Sequence, residues 1–271
     1  MGERTADHGA GATRTRERAL RREAPMTIRV GTVFAHPDDE TFGAGGTLIR
    51  AVRRGAEVHS LCLTKGEAGW MGDPEAPITT PETLGEVRAS EVREAGRRMA
   101  LASVTVRDWG DGKLAQADPR AVEDDVLVWL RERRPDILIT WGPDGGYRHL
   151  DHIAAGERCI AALKRAGAAT PRKVFRLVVY EKEWEVMVRH WPDWDIVKTL
   201  VPWRDEQLGA LIALTDEELD LKWAAMQTHR SQLPDLRNYE QLLRTERTSL
   251  RYEAYVRHFP PQDGSLARDL F

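Results

Sequence analysis

Two short stretches carry residue types and spacings that can do chemistry: Ala35-His36-Pro37-Asp38-Asp39-Glu40 and Tyr147-Arg148-His149-Leu150-Asp151-His152. Like charges crowded together repel, so three carboxylates beside one histidine are not placed there for stability. Imidazole and carboxylate suit Zn²⁺, which in catalytic sites keeps three protein ligands and one position open for water. Two histidines and a carboxylate also hold Fe²⁺, so residue types alone leave the metal open. Pro37 fixes its own φ and lacks an N–H, which helps to end a strand and turn the chain. Residues 36 and 39 can then converge while 38 points elsewhere, making one aspartate a ligand and its neighbour a free base. In a rival reading, Asp38 or Asp39 caps a helix beginning near Thr41, and Asp151 caps one beginning near His152. Capping accounts for either stretch alone but not for both at once.

The elements around these stretches explain how they could meet. The apolar, β-branched run TIRVGTVFA predicts a buried strand, and GGTLIRAVRRG a short amphipathic helix ending at Gly55. AEVHSLCLT, SVTVRDW and DILITWG predict three more strands. Between them, Thr83 to Glu86 has the form of a capping box. Asp118-Pro119 reads as an N-cap with proline at the first helical position. Alternating strands and helices predict an α/β fold, a Rossmann-like three-layer sandwich with a mostly parallel sheet. Ligands of such sheets bind beyond the carboxyl ends of the strands. AHPDDE, TKGEAGW, DWGDG and WGPDGGYRHLDH follow strands one to four, so all four polar loops share that edge, and the metal site belongs there. Past Thr170, KVFRLVVYE and DIVKTLVPW read as strands with a Trp-rich excursion between them. Thr215 to Glu218 is another capping box, opening a helix with Leu219, Trp223 and Met226 inward. The last residues, PPQDGSLARDLF, read as loose.

The chain has 271 residues, 41% of them hydrophobic, with a net charge of −3 from 40 basic and 43 acidic residues. That supports one sizeable core, a single domain over 26–271. No basic field supports a nucleic-acid partner, and no run is long and apolar enough to span a bilayer. Residues 1–25 lack a hydrophobic signal region and read as a disordered extension, with Met26 an alternative start. A cytoplasmic protein is expected. Cys62 and Cys159 read as reduced buried thiols. Homo-oligomerisation is left open. The tryptophans at 184, 191, 194 and 203 read as a satellite core or oligomer contact before a sugar platform. The glycines at 43–46 do not directly follow a strand, as a dinucleotide loop requires; they read as packing space beneath the metal loop.

AHPDDE, TKGEAG, RASEVREAG, GGYRHLDH and KWAAMQTHRSQ together resemble the LmbE-like, or PIG-L-type, deacetylase family, over about Val30 to Gln232. Its members are Zn²⁺-dependent hydrolases that remove the acyl group from N-acetylglucosamine conjugates. The resemblance implies His36, Asp39 and His152 as metal ligands and Asp38 as general base. It implies His149 as the residue stabilising the oxyanion, with Asp151 orienting and charging it, and Tyr147 nearby. Arg88, Glu91 and Asp111 match positions that line the sugar pocket. The expected cofactor is Zn²⁺, with Fe²⁺ as the other choice. The expected substrate is a small soluble glycoside such as GlcNAc-malate or GlcNAc-inositol. Two alternatives stand beside it: an amidase cleaving larger acyl groups or thiol S-conjugates, and a nucleotide-binding regulatory module. His229 is expected to be structural on the pocket side, and His59 structural within its strand.

Overall fold

A computed structural model of the chain describes residues 27–261 and 263–271. The expected extension over 1–25 and the alternative start at Met26 lie outside the described residues. Seven strands form the main sheet: β1 (Arg29–Phe34), β2 (Glu57–Cys62), β3 (Ser103–Val106), β4 (Ile137–Trp141), β5 (Lys173–Val178), β6 (Ala210–Ala213) and β7 (Tyr252–Phe259). Their order across the sheet is β3-β2-β1-β4-β5-β7-β6. Strands β1 to β5 pair in parallel, and β7 runs antiparallel to both β5 and β6. The helices are α1 (Asp39–Arg53), α2 (Pro81–Arg98), α3 (Pro119–Arg133), α4 (Leu150–Leu163), α5 (Glu181–His190), α6 (Asp195–Thr199), α7 (Asp216–Met226) and α8 (Leu233–Thr245). Helices α1, α2 and α7 pack together, and α3 packs on α4 against β1. The three-layer α/β sandwich is therefore observed.

Strand β1 is flanked by β2 on one side and β4 on the other, so the strand order reverses direction there. Loops leaving the carboxyl ends of two such neighbours diverge to opposite faces and leave a crevice between them. AHPDDE leaves β1 and GPDGGYRHLDH leaves β4. Topology alone thus sets the two histidine–aspartate stretches side by side.

Several expectations change. Helix α1 starts at Asp39, so Gly43, Gly45 and Gly46 lie inside it. A Cβ at Gly43 would meet Leu177 Cδ2 at 2.4 Å, and one at Gly46 would meet Leu214 Cδ1 at 2.3 Å. The glycines are packing space, as expected. Helix α2 begins at Pro81 with Thr80 as its N-cap, whose amide donates to Thr83 Oγ1 at 3.2 Å. Thr83 is thus the partner inside the box and not the cap. DIVKTLVPW is not a strand: Val197 and Leu200 are buried three residues apart while Val201 is 77% exposed, a helical period realised in α6. Strands β6 and β7 were not anticipated. The C-terminal tail is not loose throughout, since Leu270 is fully buried in the main core. Among the described residues, no helix is long and apolar enough to cross a membrane. Cys62 and Cys159 are both free and buried.

Candidate active site

The turn after β1 separates Asp38 from Asp39. Asp38 has φ 124°, a conformation that a residue with a Cβ adopts only under constraint. Its amide donates to Glu40 Oε2 at 3.1 Å, and its carbonyl accepts from the Thr41 amide at 2.9 Å. Arg88 clamps the same turn from α2: Nη2 donates to Pro37 O at 2.7 Å and to Asp38 Oδ2 at 2.9 Å, while Nη1 donates to Gly66 O at 2.7 Å. A Cβ at Gly69 would stand 2.3 Å from Arg88 Nη1, which explains a glycine in the second polar loop. Asp39 turns the other way. Its Oδ2 accepts from the amides of Ala35 and His36 at 3.0 and 2.9 Å and from Trp141 Nε1 at 3.0 Å. Its Oδ1 lies 3.2 Å from His152 Nε2.

Each of three side chains is anchored through one atom and presents another to a common centre. His152 Nδ1 meets the Gly145 carbonyl at 3.1 Å, leaving Nε2 directed inward. Its ring lies flat on Trp141, centroids 4.0 Å apart. His36 Nε2 is held by Asp111 Oδ1 at 3.1 Å and Asp151 Oδ2 at 3.4 Å, leaving Nδ1 facing His152 Nε2 at 3.1 Å. His36 Nδ1 is 3.9 Å from Asp39 Oδ2. Tetrahedral sites with bonds of about 2.0–2.1 Å have ligand–ligand edges of roughly 3.3–3.4 Å, and the His36–His152 and His152–Asp39 pairs have about that spacing. Two groupings have ligand atoms that all lie within 4.8 Å of one another, His36 with His149 and His152, and His36 with Asp111 and Asp151. In the second of these, the carboxylates accept on the far nitrogen of His36, the position of groups that orient a ligand.

The charge balance agrees. Burial disfavours a charged His36, but hydrogen bonds to Asp111 and Asp151 and the charge of Asp39 outweigh it and push the ring up to about 10. The carboxylates thus draw positive charge into the centre, which a divalent cation would supply. Burial works against the Asp39 anion, yet His152 beside it holds the carboxyl below the usual range. Burial pushes the Asp38 carboxyl up to about 6, with Arg88 opposing and Asp39 assisting.

The remaining candidates fall into place unevenly. His149 is the N-cap of α4, its Nδ1 accepting from the Asp151 amide at 3.2 Å; no aspartate caps α1 or α4 through its side chain. Burial, with His152 and His36 adding to it, pushes His149 down to about 4. The Asp151 carboxylate does not sit on the His149 ring. It faces His36 and accepts from the amides of Gly112 at 2.7 Å and Leu114 at 3.1 Å. The expectation that Asp151 orients and charges His149 is therefore corrected: the Asp151 carboxylate serves His36, and burial favours the uncharged His149 ring. Asp111 likewise meets His36. Glu91 lies off the cavity, its oxygens taken by Ser231 N at 2.9 Å and Ser231 Oγ at 2.5 Å. Tyr147 reaches the cavity wall, edge-on to His152 at 5.2 Å.

Sequence reasoning missed two participants. Trp141 contacts both Asp39 and His152 but reads as the apolar end of a strand. Glu40 holds the Asp38 amide. His229, expected to be structural on the pocket side, is fully buried with Nε2 3.3 Å from Glu40 Oε1. Only the adjacency of Glu40 to AHPDD hinted at it. A cavity of about 580 Å³ opens from Asp38, Asp39 and His152 and runs between α5, α7 and α8.

Fold and site together define a class: α/β proteins with a histidine–carboxylate cluster able to hold a cation at the carboxyl edge of a parallel sheet. The sequence pattern of the PIG-L family, GlcNAc-PI de-N-acetylase, matches residues 32–163. A 1D-myo-inositol 2-acetamido-2-deoxy-alpha-D-glucopyranoside deacetylase of Segniliparus rotundus is 32% identical over 241 residues, covering 74% of this chain and 76% of that protein. The chain belongs to the PIG-L family. It spans about half the length of other curated relatives of that description, 54% of one from Rhodococcus opacus at 39% identity. Among solved structures, the N,N'-diacetylchitobiose deacetylase of Pyrococcus horikoshii superposes with a TM-score of 0.63 at 20% identity, over 93% of this chain and 94% of that one. GalB, a 4-carboxy-2-hydroxymuconate hydratase from Pseudomonas putida, gives the same TM-score at 19% identity, over 89% and 100%. The fold by itself therefore does not name the chemistry.

Proposed function

We propose that this chain is a metal-dependent hydrolase that removes the N-acetyl group from an N-acetylglucosamine glycoside. The observation that carries the reading is the division of labour in the first motif: Asp39 turns Oδ1 to His152 Nε2, which also faces His36 Nδ1, while the strained turn sends Asp38 to Arg88. The curated relatives, named as deacetylases of such glycosides, support the substrate class. His36, Asp39 and His152 would hold Zn²⁺ or Fe²⁺; when bound, the cation polarises the acyl oxygen and lowers the pKa of water. Asp38 has one oxygen fixed by Arg88, and its carboxyl near 6 suits a base working around neutrality. It takes the proton of the attacking water and passes it to the amine nitrogen as the C–N bond breaks, leaving acetate and a free amine. His149 accepts at Nδ1, so its single proton is on Nε2, and it donates that proton's hydrogen bond to the developing oxyanion as a neutral imidazole. Burial raises the Tyr147 phenol, so it stays protonated and is a second donor on the wall.

Acetate release from GlcNAc glycosides, measured before and after chelation and after Zn²⁺ or Fe²⁺ is restored, tests the reading. Chelator-insensitive release, or a purified protein with no stoichiometric metal by elemental analysis, would sink it.

A further inference from the structure

The Trp-rich excursion between β5 and β6 holds two kinds of tryptophan. Trp184 and Trp191 pack with Met187, Val197 and Leu200 in a satellite core that joins α5 to α6. Trp194 and Trp203 instead reach the turn over 144–149 that follows β4. Trp203 Nε1 donates to Asp144 Oδ2 at 2.7 Å, and the Trp194 ring lies against that of Tyr147, centroids 5.9 Å apart. From the turn itself, Arg148 Nη2 donates back to the carbonyl of Thr199, the last residue of α6, at 2.7 Å. Trp203 is a firm anchor, because its backbone is tied to the end of β5: its amide donates to Val179 O and its carbonyl accepts from the Glu181 amide, both at 3.0 Å.

The turn needs holding from outside. Gly145 and Gly146 have φ of 62° and 72°, and Arg148, which carries a Cβ, has φ 65°. Glycine takes such angles freely, so the two glycines permit this conformation without selecting it, and Arg148 adopts it against its preference. Inside the turn Asp144 is the hub. Its Oδ1 accepts from the Gly146 amide at 3.1 Å, and its carbonyl accepts from the Arg148 amide at 3.0 Å. The Trp203 indole takes the remaining carboxylate oxygen and so fixes the residue on which both internal bonds depend.

This turn carries Tyr147 and His149, the two donors assigned to the oxyanion, and its Gly145 carbonyl meets His152 Nδ1 at 3.1 Å. Such donors accelerate a reaction only if they are in place before the charge develops. A misplacement of about 1 Å can cost about 10²-fold in rate. Trp203, Thr199 and Arg148 all lie off the cavity, so they act on the reaction through the turn and not by touching a ligand there.

We propose that the segment over 194–203 is a strut that sets the oxyanion donors, with Trp203 and Arg148 as positioning residues for Tyr147 and His149. The inference rests on the N-deacetylase reading and adds to it residues that lie outside both histidine–aspartate clusters.

Two variants test it. Trp203→Phe keeps the aromatic ring and removes only the N–H to Asp144. Arg148→Met removes the donor to Thr199 at an exposed position, so it folds even if Trp203→Phe does not. With metal content matched by elemental analysis, each should lower kcat on a GlcNAc glycoside about tenfold and leave KM within twofold, the pattern of an interaction made only in the transition state. Amide hydrogen exchange followed by NMR reads the strut without turnover. The Gly146 and Arg148 amides should exchange at least tenfold faster in each variant, while those of β1 stay unchanged. Exchange at both amides unchanged within twofold in both variants overturns the proposal. So does kcat kept within twofold in both, whether or not KM rises, since the segment is then only a wall. If no glycoside releases acetate, the deacetylase reading falls, and the exchange rates still decide whether the strut holds the turn.

Discussion

The chain buries two clusters of paired charges along α1, one at its first turn and one against Gly46 and Thr47. One is His36, Asp39 and His152 with Asp111 and Asp151 behind them; the other is Lys222 with Glu253. Both are nearly inaccessible, with His152 at 1% and Glu253 at 2%. They differ in what their lone pairs do. Both oxygens of Glu253 are taken up by Lys222, the α1 amides, Thr47 and, at 3.3 Å, the Tyr255 hydroxyl, so this carboxylate ties β7 and α7 to α1. In the first cluster, His36, Asp39 and His152 are each anchored through one atom and turn the other toward the cluster. Burial of charge therefore does not distinguish structure from chemistry here. Unused, convergent lone pairs do.

This contrast can be broken by experiment. The largest effect belongs to the open cluster's neighbour: Asp38→Ala should cut acetate release by roughly 10²–10⁴ while metal content stays stoichiometric by elemental analysis. Near-normal turnover would remove Asp38 as the base. The closed cluster should fail through folding: Glu253→Ala leaves a buried ammonium unpaired and should cost about 3–5 kcal/mol in a denaturant titration. Replacing both partners, Lys222→Met with Glu253→Leu, should recover much of that loss; if the double variant is as unstable as the single, the pair is not the reason. Trp141→Phe keeps a ring on His152 but removes the donor to Asp39 Oδ2, so metal affinity should drop about 10–100-fold in a chelator competition. The smallest effect concerns a third, less enclosed pair. Hydrogen bonds from Arg50 hold the Glu218 carboxyl down to about 2, from an ordinary value of 4.5. That stabilisation is present above about 4.5 and is lost as pH falls from there through about 2. Glu218→Gln should flatten the acid-side loss of stability over that window, and an unchanged slope would show that the pair contributes nothing.

Legibility from sequence was highest where period and turn chemistry are local. The four parallel strands before Thr170 and the caps at Asp118 and Thr215 follow from residues within a few positions of each other. It was lowest past Thr170. The 195–203 run is β-branched, yet its buried positions are three apart, and β7 pairs only with strands far away in sequence. The family resemblance implied that Asp151 serves His149; the first turn of α4 instead points its carboxylate at His36, 115 residues away in the chain.

By itself the sequence determined the residue types of both motifs, the strand–helix alternation and hence the edge on which the polar loops meet. These depend on side-chain chemistry and short-range backbone preference. Only the tertiary structure decided which nitrogen of each imidazole faces the centre, that Asp111 and Asp151 hold His36, that Trp141 and Glu40 take part, and that both oxygens of Glu253 are taken up. Those outcomes depend on strand order at β1 and on packing between segments remote in sequence, where a shift of one residue in register would turn each side chain to the opposite face.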